Sequence, residues 1–355
     1  MDCPVFHELF GEAIVLAMTQ HTQHEADSSG LIHGYLFGAD GRGQPLDTHG
    51  AAAWLAAGDA SSFAWLHFDG AHHAARQWLR THVDLPEAFM ETLHEAWRST
   101  RIEQADGGVI AVVNDVVYDL HDDYSMQVAT LWMVMNTQAG RRYLVSLRNQ
   151  PLRAVECLRQ AVDSGEIFAG PLGLLVHLLG DQADVLGRIR HRVTAEVDDI
   201  EDRFLDDEVP DRGHLGRLRR DLVRMQRLLA PEPGALFRLL GAPMEGVADD
   251  DIAGLRRSTE EFSLVLRDLA GLQERIKLLQ EEVAALTADR MNKSIFVLTA
   301  VAVVALPINI TAGLLGMNVG GIPFGRLAQG FWVVVSGLVL VTAVAAWWLL
   351  RKRYD

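Results

Sequence analysis

Short apolar runs, rich in β-branched and aromatic residues, recur through the first half of the chain at 31–37, 63–69, 109–118, 128–135 and 143–147. Their length and composition predict strands. Residues 71–82, 86–97 and 151–164 carry apolar positions at helical spacing, the second opening on Pro86, where a missing N–H is tolerated. Residues 1–168 therefore read as a mixed α/β domain. Beyond them the pattern is helical only. One helix is predicted over 172–207 and a second, basic one after Pro210. A third starts where Asp249, Asp250 and Asp251 supply a cap and a negative first turn, both favourable at a helix N-terminus. It meets no proline until Pro307, so 252–317 can be one helix of 66 residues, about 100 Å long.

Two stretches near the C-terminus hold no charged side chain: 295–316, with 22 residues, and 330–350, with 21. The first reaches about 33 Å, enough to cross a hydrocarbon core. Arg290 and Lys293 precede the first stretch and Arg351, Lys352 and Arg353 follow the second, while the intervening 318–326 carries only Arg326. Basic flanks stay on the cytoplasmic side, so both termini are expected there. Trp332, Trp347 and Trp348 suit the two interfaces. No basic start followed by an apolar run opens the chain, so no signal peptide is expected. The predicted organisation is an α/β domain at 1–168, a helical hairpin and stalk helix at 169–294, a first span at 295–317, a periplasmic loop at 318–329, a second span at 330–350 and a basic tail at 351–355.

Charge sharpens this division. The net charge is −15; five basic residues and one acid follow Met291, so the part before it carries −19. Such an acidic part disfavours nucleic acid and favours either cations as partners or plain solubility. Within it, 198–208 holds seven acids, and the next helix holds Arg212, Arg217, Arg219, Arg220, Arg224 and Arg227. An antiparallel hairpin would pair the two faces; the alternative is an acidic tip that collects cations. Cys3 and Cys157 are far apart in sequence and suggest reduced thiols rather than a disulfide framework. No nucleophile–base constellation, phosphate-binding glycine loop or complete metal triad is evident, so an enzyme is not expected.

The long helix carries a second pattern. Spacing of 3-4-3-4, the signature of helices packed around an axis, links Arg267, Gly271, Glu274, Leu278, Glu281, Ala285, Ala288, Asn292, Ile295, Thr299, Ala302, Leu306, Asn309 and Gly313. Polar residues in a span face a bundle interior or a water path. Ile295, Thr299, Ala302, Leu306, Asn309 and Gly313 are therefore candidate pore-lining residues, with Leu306 and Ile295 as apolar constrictions able to gate by dewetting. Hydrogen bonds from Asn309 and Thr299 to neighbouring helices are the other reading. Asn292, Glu281 and Glu274 fall on the same stripe below the span and would ring a cytosolic funnel. Two spans cannot enclose water, so a pore requires a closed ring of chains. Pro307 removes one helical hydrogen bond near Val303 and is either a hinge or a tolerated kink.

After this span stands Gly316-Met317-Asn318, which resembles the signature of the CorA superfamily of two-span metal transporters. Val319-Gly320-Gly321-Ile322-Pro323 looks like the zinc-carrying ZntB branch. Arg290-Met291-Asn292 before the span and Ala64-Trp65-Leu66-His67-Phe68-Asp69-Gly70 in the α/β part agree with the superfamily, as does the order of domains along nearly the whole chain. The resemblance implies a homopentameric funnel in a bacterial inner membrane, a first span lining the pore, and an outer mouth formed by Gly316, Met317 and Asn318. It implies uptake of Zn2+, with Cd2+, Ni2+ and Co2+ as related cargo, coupling to protons, and no cofactor.

The residue chemistry qualifies this. Asn318 offers an uncharged carbonyl that can hold the water shell of a divalent ion without stripping it. Zinc prefers Cys, His and carboxylate ligands, and neither span nor the outer loop has one. Asn318, Asn309 and Glu281 are the residues expected to meet the passing metal. The loop lacks the acid that follows the signature in the magnesium branch, and Arg256-Arg257 stand near the level of that branch's acidic sensors. His21 with His24, and His72 with His73, have metal-ligand spacing or adjacency but no third ligand nearby in sequence; His67, beside Asp69 on a strand, reads as structural. A CorA-like magnesium or cobalt channel and a membrane-anchored metal sensor without transport are the competing readings.

Overall fold

The computed structural model describes residues 26–94, 99–105, 108–117, 126–138, 142–206, 208–241, 249–317 and 329–351. The chain divides into two compact units, Met1–Leu278 and Leu279–Asp355.

Among the described residues the first unit has seven strands: β1 (Leu31–Phe37), β2 (Gly43–Pro45), β3 (Phe63–Asp69), β4 (Arg101–Ala105), β5 (Gly108–Val116), β6 (Val128–Asn136) and β7 (Arg142–Arg148). They make one sheet in the order β2-β1-β3-β7-β6-β5-β4. β3 and β7 run parallel; every other neighbouring pair is antiparallel. Both faces are covered. Ala64, Leu66, Phe68, Val145 and Leu147 pack under α1 (Thr48–Ala57), α2 (His73–His82) and α3 (Glu87–His94). Phe63, Trp65, Val113, Leu131 and Leu144 pack under α4 (Arg153–Asp163), α5 (Pro171–Leu205) and α7 (Pro231–Leu240). Coverage on two sides explains why β3 reads as an apolar run, interrupted by His67, rather than an alternating one.

The strands expected at 31–37 and 63–69 have those bounds, and the others agree to within two residues. Part of the helix expected at 86–97 lies outside the described residues, as do His21 and His24. His67 is fully buried; Arg148 Nε donates to its Nε2 at 2.9 Å, and its Nδ1 lies 2.8 Å from Ser146 Oγ. With Nε2 accepting, the ring proton sits on Nδ1. Burial, the neighbouring His33 and Arg148 hold its pKa well below the usual value, so the neutral ring is a structural element of the sheet.

Gly30, before β1, adopts φ +82°, and an added Cβ would stand 2.7 Å from Ala75 Cβ. Left-handed strain and the clash act together. Gly30→Ala is expected to destabilise the first unit by about 2–3 kcal/mol, measured as a lowered Tm of the full chain in detergent.

β4 pairs with β5 only from Gly108 to Val112. Past that point side chains complete the ladder. Glu232 Oε1 accepts from the Asn114 backbone N–H at 2.5 Å, and Gln182 Nε2 donates to the Asn114 carbonyl and, at 3.2 Å, to Glu232 Oε2. The neighbouring Asp115 accepts from the Val116 N–H at 2.7 Å and from the Ala154 N–H at 2.8 Å, which caps the first turn of α4. Asp115 and Glu232 are both fully buried.

Candidate ion pathway

Two patterns share α8 (Asp249–Leu315), a helix of 67 residues. Leu255, Thr259, Phe262, Leu266, Leu269, Leu272, Ile276, Leu279 and Val283 are buried. Their spacing of three and four keeps them on one stripe. In the first unit Arg275 strengthens the attachment, with its guanidinium 2.6 Å from Asp198 and 2.5 Å from Glu201 of α5. Arg190 of α5 reaches Asp268 at 3.0 Å. The acidic end of α5 thus takes its cation from α8. Between α5 and α6 (Arg212–Leu229), His214 lies 2.7 Å from Glu196, and neither belongs to the acids and arginines expected to pair there.

The second pattern is the seam, and each of its fourteen residues from Arg267 to Gly313 is exposed. Leu278 is 56% exposed, Ile295 53% and Leu306 61%. Glu274 is bridged to Lys277 at 2.8 Å, which offsets its charge, whereas Glu281 and Asn292 are exposed on the same stripe. Gly271 and Gly313 lie on this stripe, and an added Cβ at either meets nothing within 4 Å, as is also true of Gly187 and Gly337 off it. A glycine inside a helix costs about 1 kcal/mol relative to alanine, and no contact within the single chain accounts for that cost. Small residues at both levels suit another helix or a passing ligand.

In the second unit the apolar surface is uncovered. Val297, Leu298, Val301, Ile310 and Leu314 are exposed, a patch suited to lipid or protein. α8 is long and apolar enough to cross a membrane; the stretch 330–345 of α9 (Gly330–Arg351) is apolar but shorter. Phe296, Ala300, Val304, Pro307, Thr311 and Leu315 of α8 are partly covered, as are Val334, Val335, Leu338, Thr342 and Ala345 of α9. The covered stripe of α8 is separate from the seam. Thr299 donates to the Ile295 carbonyl at 2.8 Å, so its hydroxyl is satisfied within its own helix. α8 continues through Pro307, which leaves the Val303 carbonyl without its usual helical donor. The Gly316 N–H bonds to the Ala312 carbonyl at 2.8 Å and closes the last turn; Met317 is exposed, and Asn318 lies outside the described residues. Among the described residues no three His, Cys, Asp or Glu side chains gather as a metal site, His72 and His73 included.

The sequence pattern had not pointed to Arg275 as the anchor of α8 or to the buried acids of the α/β part. A lone arginine on a charged helix and single acids at strand ends carry no periodic signal.

A covered α/β sheet, a long helix with one buried and one bare stripe, and an uncovered apolar stretch long enough to cross a membrane define the class: a domain carried on a membrane-crossing helix. The CorA-like Mg2+ transporter protein family matches residues 60–352, and the chain belongs to that family. It is a divalent cation transporter, and the family's members reside in the inner membrane. It is 27% identical over 320 residues to the zinc transport protein ZntB of Yersinia pseudotuberculosis, covering 90% of this chain and 95% of the relative. It is 28% identical over 335 residues to the divalent cation transporter CmaX of Pseudomonas aeruginosa, covering 92% and 97%. The solved structure of full-length CmaX superposes with a TM-score of 0.76 at 26% identity, over 92% of this chain and 98% of that one.

Proposed function

We propose that this chain takes up Zn2+, and with it Cd2+, Ni2+ and Co2+, across the bacterial inner membrane through a homopentameric pore. The single observation that carries this reading is the exposed seam of α8, which runs from Arg267 to Gly313 and holds glycines that its own chain does not need. Copies related by an axis along that seam would bury Leu278, Ile295 and Leu306 and turn Thr299 and Asn309 toward a water path. Residues 295–317 then form the pore-lining span and 330–350 the second span, with both termini cytoplasmic. The domain plan is 1–168, 169–294 and these spans, joined by a periplasmic loop at 318–329.

Gly316, Met317 and Asn318 form the outer mouth. Asn318 and Asn309 hold the water shell of the cation, and Glu281 draws it below. An amide ring handles hydrated ions and discriminates poorly among them, so zinc reflects the kinship to the ZntB proteins and not a thiolate or imidazole site. Coupling to protons follows the same kinship. The test is 65Zn2+ uptake into proteoliposomes with and without an inward proton gradient. Uptake that rises with the gradient is expected. Strong magnesium flux with no zinc flux would transfer the chain to the magnesium reading, and no flux of either metal would leave only a membrane-anchored domain.

A further inference from the structure

The first unit contains a cleft of about 940 Å³ between β6, α5, α6 and the turn after β7. Its rim reverses the sign of the protein. The chain carries −15, yet Arg192, Arg217, Arg224 and Arg227 all border this one cleft. Arg217, Arg224 and Arg227 share a face of α6. Glu196 and Asp221 also border it, but Glu196 is engaged by His214 at 2.7 Å, and Arg217 reaches Asp211 only at 3.8 Å. Arg224 and Arg227 are exposed and have no acidic partner among the described residues.

The rest of the lining is complementary to an organic anion. Gln127, Asn149 and Gln150 line it with neutral amides, and Ile189, Val193 and Leu218 add apolar surface. Asn114 at the floor is already fixed: its side chain donates to the Leu228 carbonyl at 3.3 Å and accepts from Thr130 Oγ at 3.1 Å. A fixed floor lowers the entropic cost of binding. Cavities of about 300–1,000 Å³ hold small organic ligands, and guanidinium groups recognise phosphate in a planar, two-pronged geometry.

We infer that this cleft binds a phosphate-bearing small molecule of nucleotide size, with the phosphates on Arg224 and Arg227 and the organic part over Val193 and Leu218. The arginines repel the transported cation, so this ligand is a second one, distinct from the cargo. The experiment is calorimetric titration of the full chain in detergent, free of divalent metal, with ADP and with inorganic pyrophosphate. One ADP per chain is expected, bound more tightly than pyrophosphate. The pair R224Q/R227Q weakens it by about tenfold or more, since charge-assisted hydrogen bonds are lost. R220Q, an exposed arginine of the same helix outside the cleft, leaves it unchanged. Exposed positions make misfolding of the pair a minor concern, and an unchanged circular dichroism melt checks it. Failure of ADP to bind at millimolar concentration overturns the inference. So does equal weakening by R220Q, which would mark diffuse attraction to charge.

Discussion

Gly313→Leu lowers zinc flux into proteoliposomes by about a hundredfold, equivalent to about 2.7 kcal/mol on the barrier, while each chain keeps its fold. The two halves of this expectation come from one observation. An added Cβ at Gly313 meets nothing within 4 Å, and leucine is the better helix former by nearly 1 kcal/mol, so the single chain gains stability. In the proposed pore the loss arises where copies meet along the seam: a leucine two residues before the end of α8 would add an apolar collar to a path that needs water around the ion. Asn309→Leu removes an amide from the same stripe and costs less, about tenfold, because hydration is impaired without occlusion. Gly337→Leu in α9 is the control. Its added Cβ also meets nothing, but Gly337 lies off the seam and most of the flux remains. Equal flux in the Gly313 and Gly337 variants would remove the seam from the ion pathway. Flux lost in both would point to packing of the spans instead.

The exposed stripe of α8 stands out in the sequence because one helix carries two periodic stripes that differ in composition; its place on an ion path is our proposal. The buried stripe is Leu, Ile and Phe at helical spacing, while the other mixes Gly, Glu, Ala and Asn. β3 was legible for the opposite reason: cover on both faces makes Phe63 to Leu66 and Phe68 apolar, with His67 the one buried polar residue among them. What escaped the reading lacks either signal. α1 is alanine-rich on all sides, so no stripe marks its buried face. β4, with the sequence RIEQA, borders the sheet edge and has little apolar content. α7 starts with Pro231 and Pro233, which fit a first helical turn but give so short a segment no helical stripe. The Glu232 and Gln182 bonds to Asn114 bring together residues far apart in sequence, 118 and 50 positions from Glu232. Pattern within one segment cannot report such a junction.

These buried acids lead to the second large effect: the first unit loses stability as pH rises from about 4 to about 7, with Asp115 alone contributing about 4 kcal/mol. Burial pushes its carboxyl up to about 7 in spite of two backbone N–H donors, from an ordinary value of 3.8. The folded state therefore holds the proton that the unfolded chain releases. Stability is full below the unfolded value and declines as pH climbs through the folded one. Glu232 is pushed up by burial more than Asn114 and Gln182 hold it down. Asp181, on α5, is also raised by burial. His177 acts in the same direction: burial lowers its pKa, but Asp181 at 2.9 Å and Glu166 at 3.2 Å outweigh that and raise it. Its ion pairs weaken as pH passes its raised value. Thermal unfolding of the full chain in detergent across this range should give a Tm that falls with pH. Glu232→Gln should make that fall shallower. The slope is the readout because it counts protons, whereas the amide also alters the bond to Gln182 and changes Tm at every pH. A Tm that is flat or rising between about pH 5 and 8 contradicts the assignment. The apolar stretches 295–316 and 330–350 contain no Asp, Glu or His, so a proton-linked response of transport has to draw on groups of this kind outside them. Asp115 and Glu232 join β5, the first turn of α4 and α7 through the same few hydrogen bonds, so their ionisation loosens all three elements together.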